Sequence, residues 1–273
     1  MPIYRIDPLH DHRWSDFVHE HRDASIFHTR EWLCALQATY GYEPIAYTSA
    51  KPGGALTNAI VFCQVKSFLT GSRLVSVPFA DHCDALVNSP SELRELFLYT
   101  EQLLTLRACR YLELRCLKPP PMETQLGSTV YKQVAHHVLD LRPCVENLFR
   151  GFHKSCIQRK IRRAERERLT YTEGTRDEHI RHFYRLLVLT RKRHGLPPQP
   201  LAWFFNLRDS LGSAFKVRLV SKDGRPIAGI VTTLHKKRMV YKYGASEARF
   251  HSLGAMPFLF WQAIQEAKAR LLL

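Results

Sequence analysis

The chain has 273 residues, of which 45% are hydrophobic and 11% aromatic: too apolar for a disordered segment and long enough for two cores of ordinary size. No uninterrupted apolar run approaches the length of a membrane helix, and Met1 to Asp16 alternates apolar residues with charge and His instead of forming a signal peptide, so a soluble cytosolic protein is expected. A formal net charge of +15 with a pI near 9.7 favours anionic partners: RNA, nucleotide phosphates or a phosphorylated acceptor.

One order of pieces occurs twice, which predicts two copies of an α/β unit, at residues 1–135 and 136–273. In the first copy a Trp-bearing helix is expected over Thr29 to Tyr40, and a strand over Pro44 to Thr48. A turn at Ala50 to Gly54 precedes strands over Ala55 to Val65 and Ser72 to Pro78. The loop Phe79 to Ser89 leads to a helix over Ser91 to Ala108, with Ser91 as its cap and Glu92 and Glu95 in its first turn; Tyr111 to Cys116 closes the copy as a strand.

Charge concentrates between Lys154 and Arg168, where two carboxylates answer seven Lys and Arg. At helical spacing Ile157, Ile161 and Ala164 form a buried stripe, while Arg159, Arg163 and Arg166 line another face and can fork onto phosphates or carboxylates; a merely solvated face is the plainer alternative. Leu169 to Glu173 reads as a strand, Glu178 to His194 as a helix, and Leu196 to Pro200 as a stiff connector.

The second copy repeats the first. Its Trp helix is Leu201 to Leu211, its strand Phe215 to Ser221, and its turn Lys222 to Pro226 around Asp223-Gly224. Strands are expected over Ile227 to His235 and Arg238 to Tyr243, a loop breaking away at Gly244 and running to Gly254, and a helix over Ala255 to Leu271. The chain stops at Leu271-Leu272-Leu273 with no Gly cap, no basic last turn and no counterpart of the Tyr111 to Cys116 strand, so a truncated second copy is expected. Pro257 suits a first helical turn, whose N–H groups form an anion site with Arg249 and His251 in the preceding loop.

The seven cysteines are odd in number, scattered and never spaced as C-x-x-C, so they read as reduced thiols. Asp81-His82-Cys83-Asp84 and the paired histidines match no ligand framework, so no metal is expected, and Cys83 with His82 lacks a third triad member.

Four stretches together resemble the FemAB-like (BioF2-like) branch of the GNAT superfamily. They are Ile26 to Thr29 with Trp32 and Thr39 to Pro44; Val75 to Cys83; Arg159 to Arg166; and Tyr241 to Ser246 through Gly254 to Ala267. The resemblance implies an α/β fold of two tandem GNAT-like domains, each with a mixed central sheet flanked by helices. It also implies N-acyltransferase activity: an acyl or aminoacyl group passes from acyl-CoA or aminoacyl-tRNA, with no tightly bound cofactor, to an amine of a cell-envelope or polysaccharide precursor. Donor binding is expected at Tyr241, Gly244, Ser246, Arg249, Gly254 and Ala255, and acceptor binding at Arg159, Arg163 and Arg166 in a groove formed with the first domain. Family members usually continue past the last helix into a further strand that this chain lacks.

The reaction needs a deprotonated amine and a polarised carbonyl held in line. Asp81 and His82 are the candidate proton acceptors, and Lys242, Tyr241 and Tyr243 the candidates to stabilise the oxyanion or fix the donor; strict alternation puts Lys242 opposite both tyrosines. Two alternatives stand beside this reading: a non-catalytic RNA- or DNA-binding protein using the basic helix, and an inactive truncated remnant.

Overall fold

A computed structural model describes residues 2–67, 71–106, 109–117, 129–130 and 132–271. It separates into two compact units, Met1–His136 and His137–Leu273.

Unit 1 runs through β1 (Tyr4–Ile6), α1 (Arg13–Glu20), α2 (Arg30–Tyr40), β2 (Glu43–Thr48), β3 (Ile60–Ser67), β4 (Gly71–Val75), α3 (Pro90–Leu106) and β5 (Tyr111–Glu113). The strands lie in that order across one sheet, antiparallel except for the parallel β4–β5 pair. Thr29 starts α2 by accepting the Trp32 N–H at 3.3 Å, and Gly41, left-handed at φ 67, ends it.

Four local expectations change. The α3 cap is Ser89, whose hydroxyl accepts the Glu92 N–H at 3.3 Å, because the helix starts at Pro90, a residue with no N–H to satisfy. The strand expected from Ala55 begins at Ile60, since Asn58 instead ties its side chain to Ser49 and Glu92. The strand expected to reach Pro78 stops at Val75, where Val77 and Phe79 turn the chain with left-handed φ values of 58 and 61. The strand expected over Tyr111 to Cys116 is short, because Arg115 leaves β5 to pair its carbonyl with the Cys83 N–H at 2.7 Å.

Unit 2 opens with α4 (Val145–Gly151) and a π-helical turn over Lys154–Gln158 that runs into α5 (Arg159–Arg166). It continues with β6 (Thr170–Gly174), α6 (Asp177–Arg193), α7 (Leu201–Leu211), β7 (Phe215–Lys222), β8 (Arg225–His235) and β9 (Arg238–Ser246), then a 3-10 turn over Ala248–Leu253 and α8 (Ala255–Leu271). β6 to β9 form one antiparallel sheet in chain order. Asp223 and Gly224 make the β7–β8 turn, both left-handed, as a two-residue hairpin requires.

The repeat is therefore longer than the sequence shows: each unit has a strand, two helices, a three-strand meander and a helix. Trp32 and Trp203 take matching places in it, both fully buried. Nearly all the excess positive charge lies in unit 2, unit 1 being close to neutral. Lys268 and Arg270 do form a basic last turn in α8, while Leu272, Leu273 and the expected end of α3 at Ala108 lie outside the described residues.

One face of the unit 2 sheet packs α6 and α7 through Ile180, Phe183, Trp203 and Phe204; the other packs α5 and α8 through Ile161, Ala164, Val220, Ile230, Leu259 and Trp261. Each of the larger of these side chains contributes about 2 kcal/mol by burial. Beyond this apolar layer β7 sends Lys216 and Arg218 to the α8 side. Arg218, 1% exposed, donates to Glu173 and the Tyr171 hydroxyl at 2.6 and 2.7 Å and pairs with Glu266 of α8. Lys216 reaches the same two carboxylates at 2.6 and 2.8 Å, binding β6, β7 and α8 together. Burial opposes ionisation of Glu266, but hydrogen bonds from Arg218 and Lys216 outweigh it and lower its pKa to about 2. Glu266→Ala leaves a buried guanidinium short of one counter-charge, so the urea midpoint is expected to fall by the equivalent of about 2–3 kcal/mol; an unchanged midpoint would show that α8 is held by apolar packing alone.

Candidate functional site

β9 does not break at Gly244. It stays paired with β8 through Gly244 and Ala245 to Ser246, and the irregularity lies earlier, where Val231 pairs with Tyr243 and Thr232 with Tyr241. Lys242 is thus the extra residue of a bulge. The bulge overturns the expected alternation: Tyr241 faces α8, its ring 4.7 Å from Phe260, whereas Tyr243 faces α7, its hydroxyl accepting from Trp203 Nε1 at 2.8 Å and its ring 5.3 Å from Phe204. Tyr243 is buried and Tyr241 46% exposed, and partial burial raises the pKa of the Tyr241 hydroxyl. The Lys242 ammonium lies 5.3 Å from the centre of the Tyr243 ring. A Cβ at position 244 would lie 2.0 Å from the Tyr241 hydroxyl, so Gly244 is needed for the tyrosine to fold back over its own strand.

Beyond β9 the chain is clamped. Thr190 of α6 bonds both the N–H and the carbonyl of Ser246, at 3.0 and 3.2 Å, and Arg193 reaches the same carbonyl. The Ser246 hydroxyl meets His251 Nε2 at 2.9 Å. Arg249, expected to face an anion, is ion-paired with Glu247 at 2.5 Å, and Glu247 also holds Arg225 at 3.1 Å. Gly254 is left-handed at φ 81, and a Cβ there would lie 2.2 Å from the Lys160 carbonyl oxygen of α5. This contact sets the first turn of α8, beginning at the buried Ala255, directly beside the basic helix.

On α5 the expected stripe is buried at Ile161 and Ala164, with Ile157 in the π-turn partly covered. Arg159, Arg163 and Arg166 are exposed. Arg163 approaches Glu167 at 3.7 Å; Arg159 and Arg166 make no ion pair among the described residues. The Lys160 backbone thus brings α5 beside the start of α8, while Arg159, Arg163 and Arg166 lie on the exposed face of α5, away from the buried Ile161 and Ala164. Thr190, Arg193 and Trp203, which shape this region, carry no sequence signal, because their partners lie some forty or more residues away.

Asp81 and His82 belong to unit 1, in the loop that follows the left-handed Val77 and Phe79. His82 Nδ1 lies 3.3 Å from an Asp84 oxygen, and its ring packs edge-on to Phe27 at 5.6 Å and near His136 at 5.5 Å. The Asp84 carbonyl accepts from Nε2 of the buried His28 at 2.9 Å, while His28 Nδ1 accepts the Ser25 N–H at 3.1 Å, so His28 is neutral with its proton on Nε2. Burial pushes His28 down to about 4 and the Cys83 thiol well up, which leaves Cys83 no nucleophile.

The family described as Acetyltransferase (GNAT) domain matches residues 152–272. Among solved structures the chain is similar to FemX, with a TM-score of 0.71 at 12% identity over 99% of this chain and 86% of that one. It is also similar to L-PGS from Bacillus licheniformis, with a TM-score of 0.56 at 12% identity over 97% and 74% of the two chains. No curated protein matches the chain in sequence.

Two outcomes are expected of this geometry. Gly254→Ala meets both a left-handed φ and the Lys160 carbonyl and should cost about 2 kcal/mol or more, whereas Gly53→Ala, at φ 79 with nothing within 4 Å, should cost about 1; equal urea midpoints for the two variants would refute the close contact. His28 binds its proton less readily folded than unfolded, so unit 1 should be most stable above about pH 6.5 and lose up to about 3 kcal/mol as pH falls from there to about 4. A His28→Asn variant whose acid unfolding profile matched that of the parent would count against this. The chain shares its fold with FemX, and its residues 152–272 match the family described as Acetyltransferase (GNAT) domain.

Proposed function

We propose that the chain is an N-acyltransferase that moves an acyl or aminoacyl group from acyl-CoA or aminoacyl-tRNA to an amine of a cell-envelope or polysaccharide precursor. Both donors are cytoplasmic, so the reading assigns the chain to the cytoplasm. The observation that carries it is the seating of Gly254 on the Lys160 carbonyl, which brings α5, the helix that bears the exposed arginines, against the start of α8 beside the end of β9. Donors of either kind bring phosphates, and a helix N-terminus flanked by unpaired guanidinium groups suits them.

In this reading Gly244, Ser246, Gly254 and Ala255 shape the donor loop, and Arg159 and Arg166, with Arg163 beside them, bind phosphates of donor or acceptor. Arg249 serves the loop indirectly by holding Glu247. The half-exposed Tyr241 is the better placed of the two tyrosines to hydrogen-bond a donor carbonyl, while Tyr243 supports β9 from the α7 side and Lys242 marks the bulge. The amine nitrogen attacks the donor carbonyl, the bond to the CoA sulfur or the tRNA ribose oxygen breaks, and the amine proton leaves to a base, for which Asp81 and His82 are the unit 1 candidates.

Acetyl-CoA and a charged tRNA, tested separately at low salt, should reveal the donor by raising the melting temperature. Replacing Arg159, Arg163 and Arg166 together by Ala should weaken that donor's binding about 10-fold or more without unfolding the protein. If neither donor shifts the melting temperature, or if RNA binds with no donor-dependent turnover, the transfer reading fails and the nucleic-acid-binding alternative stands.

A further inference from the structure

The outward face of α6 interleaves exposed apolar and cationic side chains. At helical spacing Arg181, Arg185, Val188, Leu189 and Lys192 fall within one arc of about 100°, opposite the buried Ile180, Phe183, Leu186 and Leu187. Val188 and Leu189 are 37% and 46% exposed, and all three cations are exposed. Leu196, 50% exposed, joins them: Gly195, left-handed at φ 65, donates to the Lys192 carbonyl at 3.1 Å and Leu196 to the Arg191 carbonyl at 3.0 Å, a closure that folds Leu196 back beside the last turn of α6. Among the described residues after Leu139, these are three of the four large apolar side chains left exposed. Such clustering, with polar side chains around it, marks an interaction surface where scattered exposure does not.

Charge names the occupant. Between Glu178 and Asp209 the sequence holds six Lys and Arg and no Asp or Glu. Arg185 and Lys192, which bracket Val188 and Leu189, make no ion pair among the described residues. Glu247, next to the Ser246 carbonyl that Arg193 reaches, is already held by Arg225 and Arg249. A nucleic acid would meet aliphatic side chains between the cations, where it needs stacking rings. A second copy set face to face would bring like charges together. The surface of an anionic bilayer answers both halves of the pattern: headgroup phosphates meet the cations, while the aliphatic side chains enter the boundary between headgroups and acyl chains.

We propose that this face of α6 docks unit 2 on a bilayer surface containing anionic phospholipid. The contact is peripheral, because three side chains on one side of a helix reach only the interface. Thr190 and Arg193 fasten the same helix to Ser246, so docking holds the loop between β9 and α8 close to the bilayer. The inference stands on unit 2 alone and is independent of the transfer reading.

The test is co-sedimentation of the full chain with phosphatidylcholine vesicles in which about a quarter of the lipid is phosphatidylglycerol, against vesicles of phosphatidylcholine alone. Binding to the first is expected, and binding about 10-fold weaker or less to the second. A net charge of +15 attracts the chain to anionic vesicles by itself, so the deciding variant keeps every charge. Val188→Ser, Leu189→Ser and Leu196→Ser together should weaken binding about 10-fold or more, and so should Arg185→Gln with Lys192→Gln. No binding to the anionic vesicles, or equal binding by the triple serine variant, overturns the proposal; the second outcome assigns the attraction to another basic surface. Should the serine variant fail to fold, Leu189→Trp decides. All four native tryptophans are buried, so quenching of the new indole by lipids brominated along the acyl chain supports docking through this face, and unquenched emission with vesicles bound refutes it.

Discussion

The carbonyl oxygen of Lys160 stands where a side chain at position 254 would have to begin. That one backbone approach governs the geometry of unit 2 around the loop between β9 and α8. It requires glycine, both for space and for the left-handed turn that ends the 3-10 segment. It draws α5 against the start of α8, so a helix rich in Arg and Lys runs beside that helix N-terminus. Neither helix alone makes a convincing anion site, since an isolated basic helix is ordinarily just solvated and an isolated helix N-terminus is common. Their junction is what gives the region a chemistry.

A second constraint works at the opposite end of the same sheet. Burying Arg218 is tolerable only because two carboxylates, a phenol and a threonine hydroxyl converge on it from β6, β8 and α8. The two ends divide the work. One end fastens α8 to the sheet through charge, and the other seats the start of α8 on the backbone of α5. Between them β9 carries a bulge that turns two nearby tyrosines to opposite faces, one locked into the core by Trp203 and one left accessible.

Unit 1 is built on the same plan with a different charge balance. Its loop after β4 is pinned by a neutral buried histidine and by two residues in left-handed conformations that β-branched or bulky side chains adopt only when neighbours over-determine them. The Asp81–His82 segment is thereby held in a defined shape.

Much of the architecture was legible in the amino-acid order. Helices such as Leu201–Leu211, the Asp223-Gly224 hairpin and the doubled sequence of elements follow from local propensity, apolar periodicity and turn chemistry, which act over a few residues. The basic face of α5 was legible for the same reason, since Arg159, Arg163 and Arg166 recur at helical spacing. Tertiary structure decided the rest: the bulge at Lys242, the neutralisation of Arg249 by Glu247, the cap at Ser89 and the seating of Gly254 on Lys160. Each depends on which distant or competing partner reaches a given atom first, and that is a property of packed surfaces that no spacing along the chain encodes.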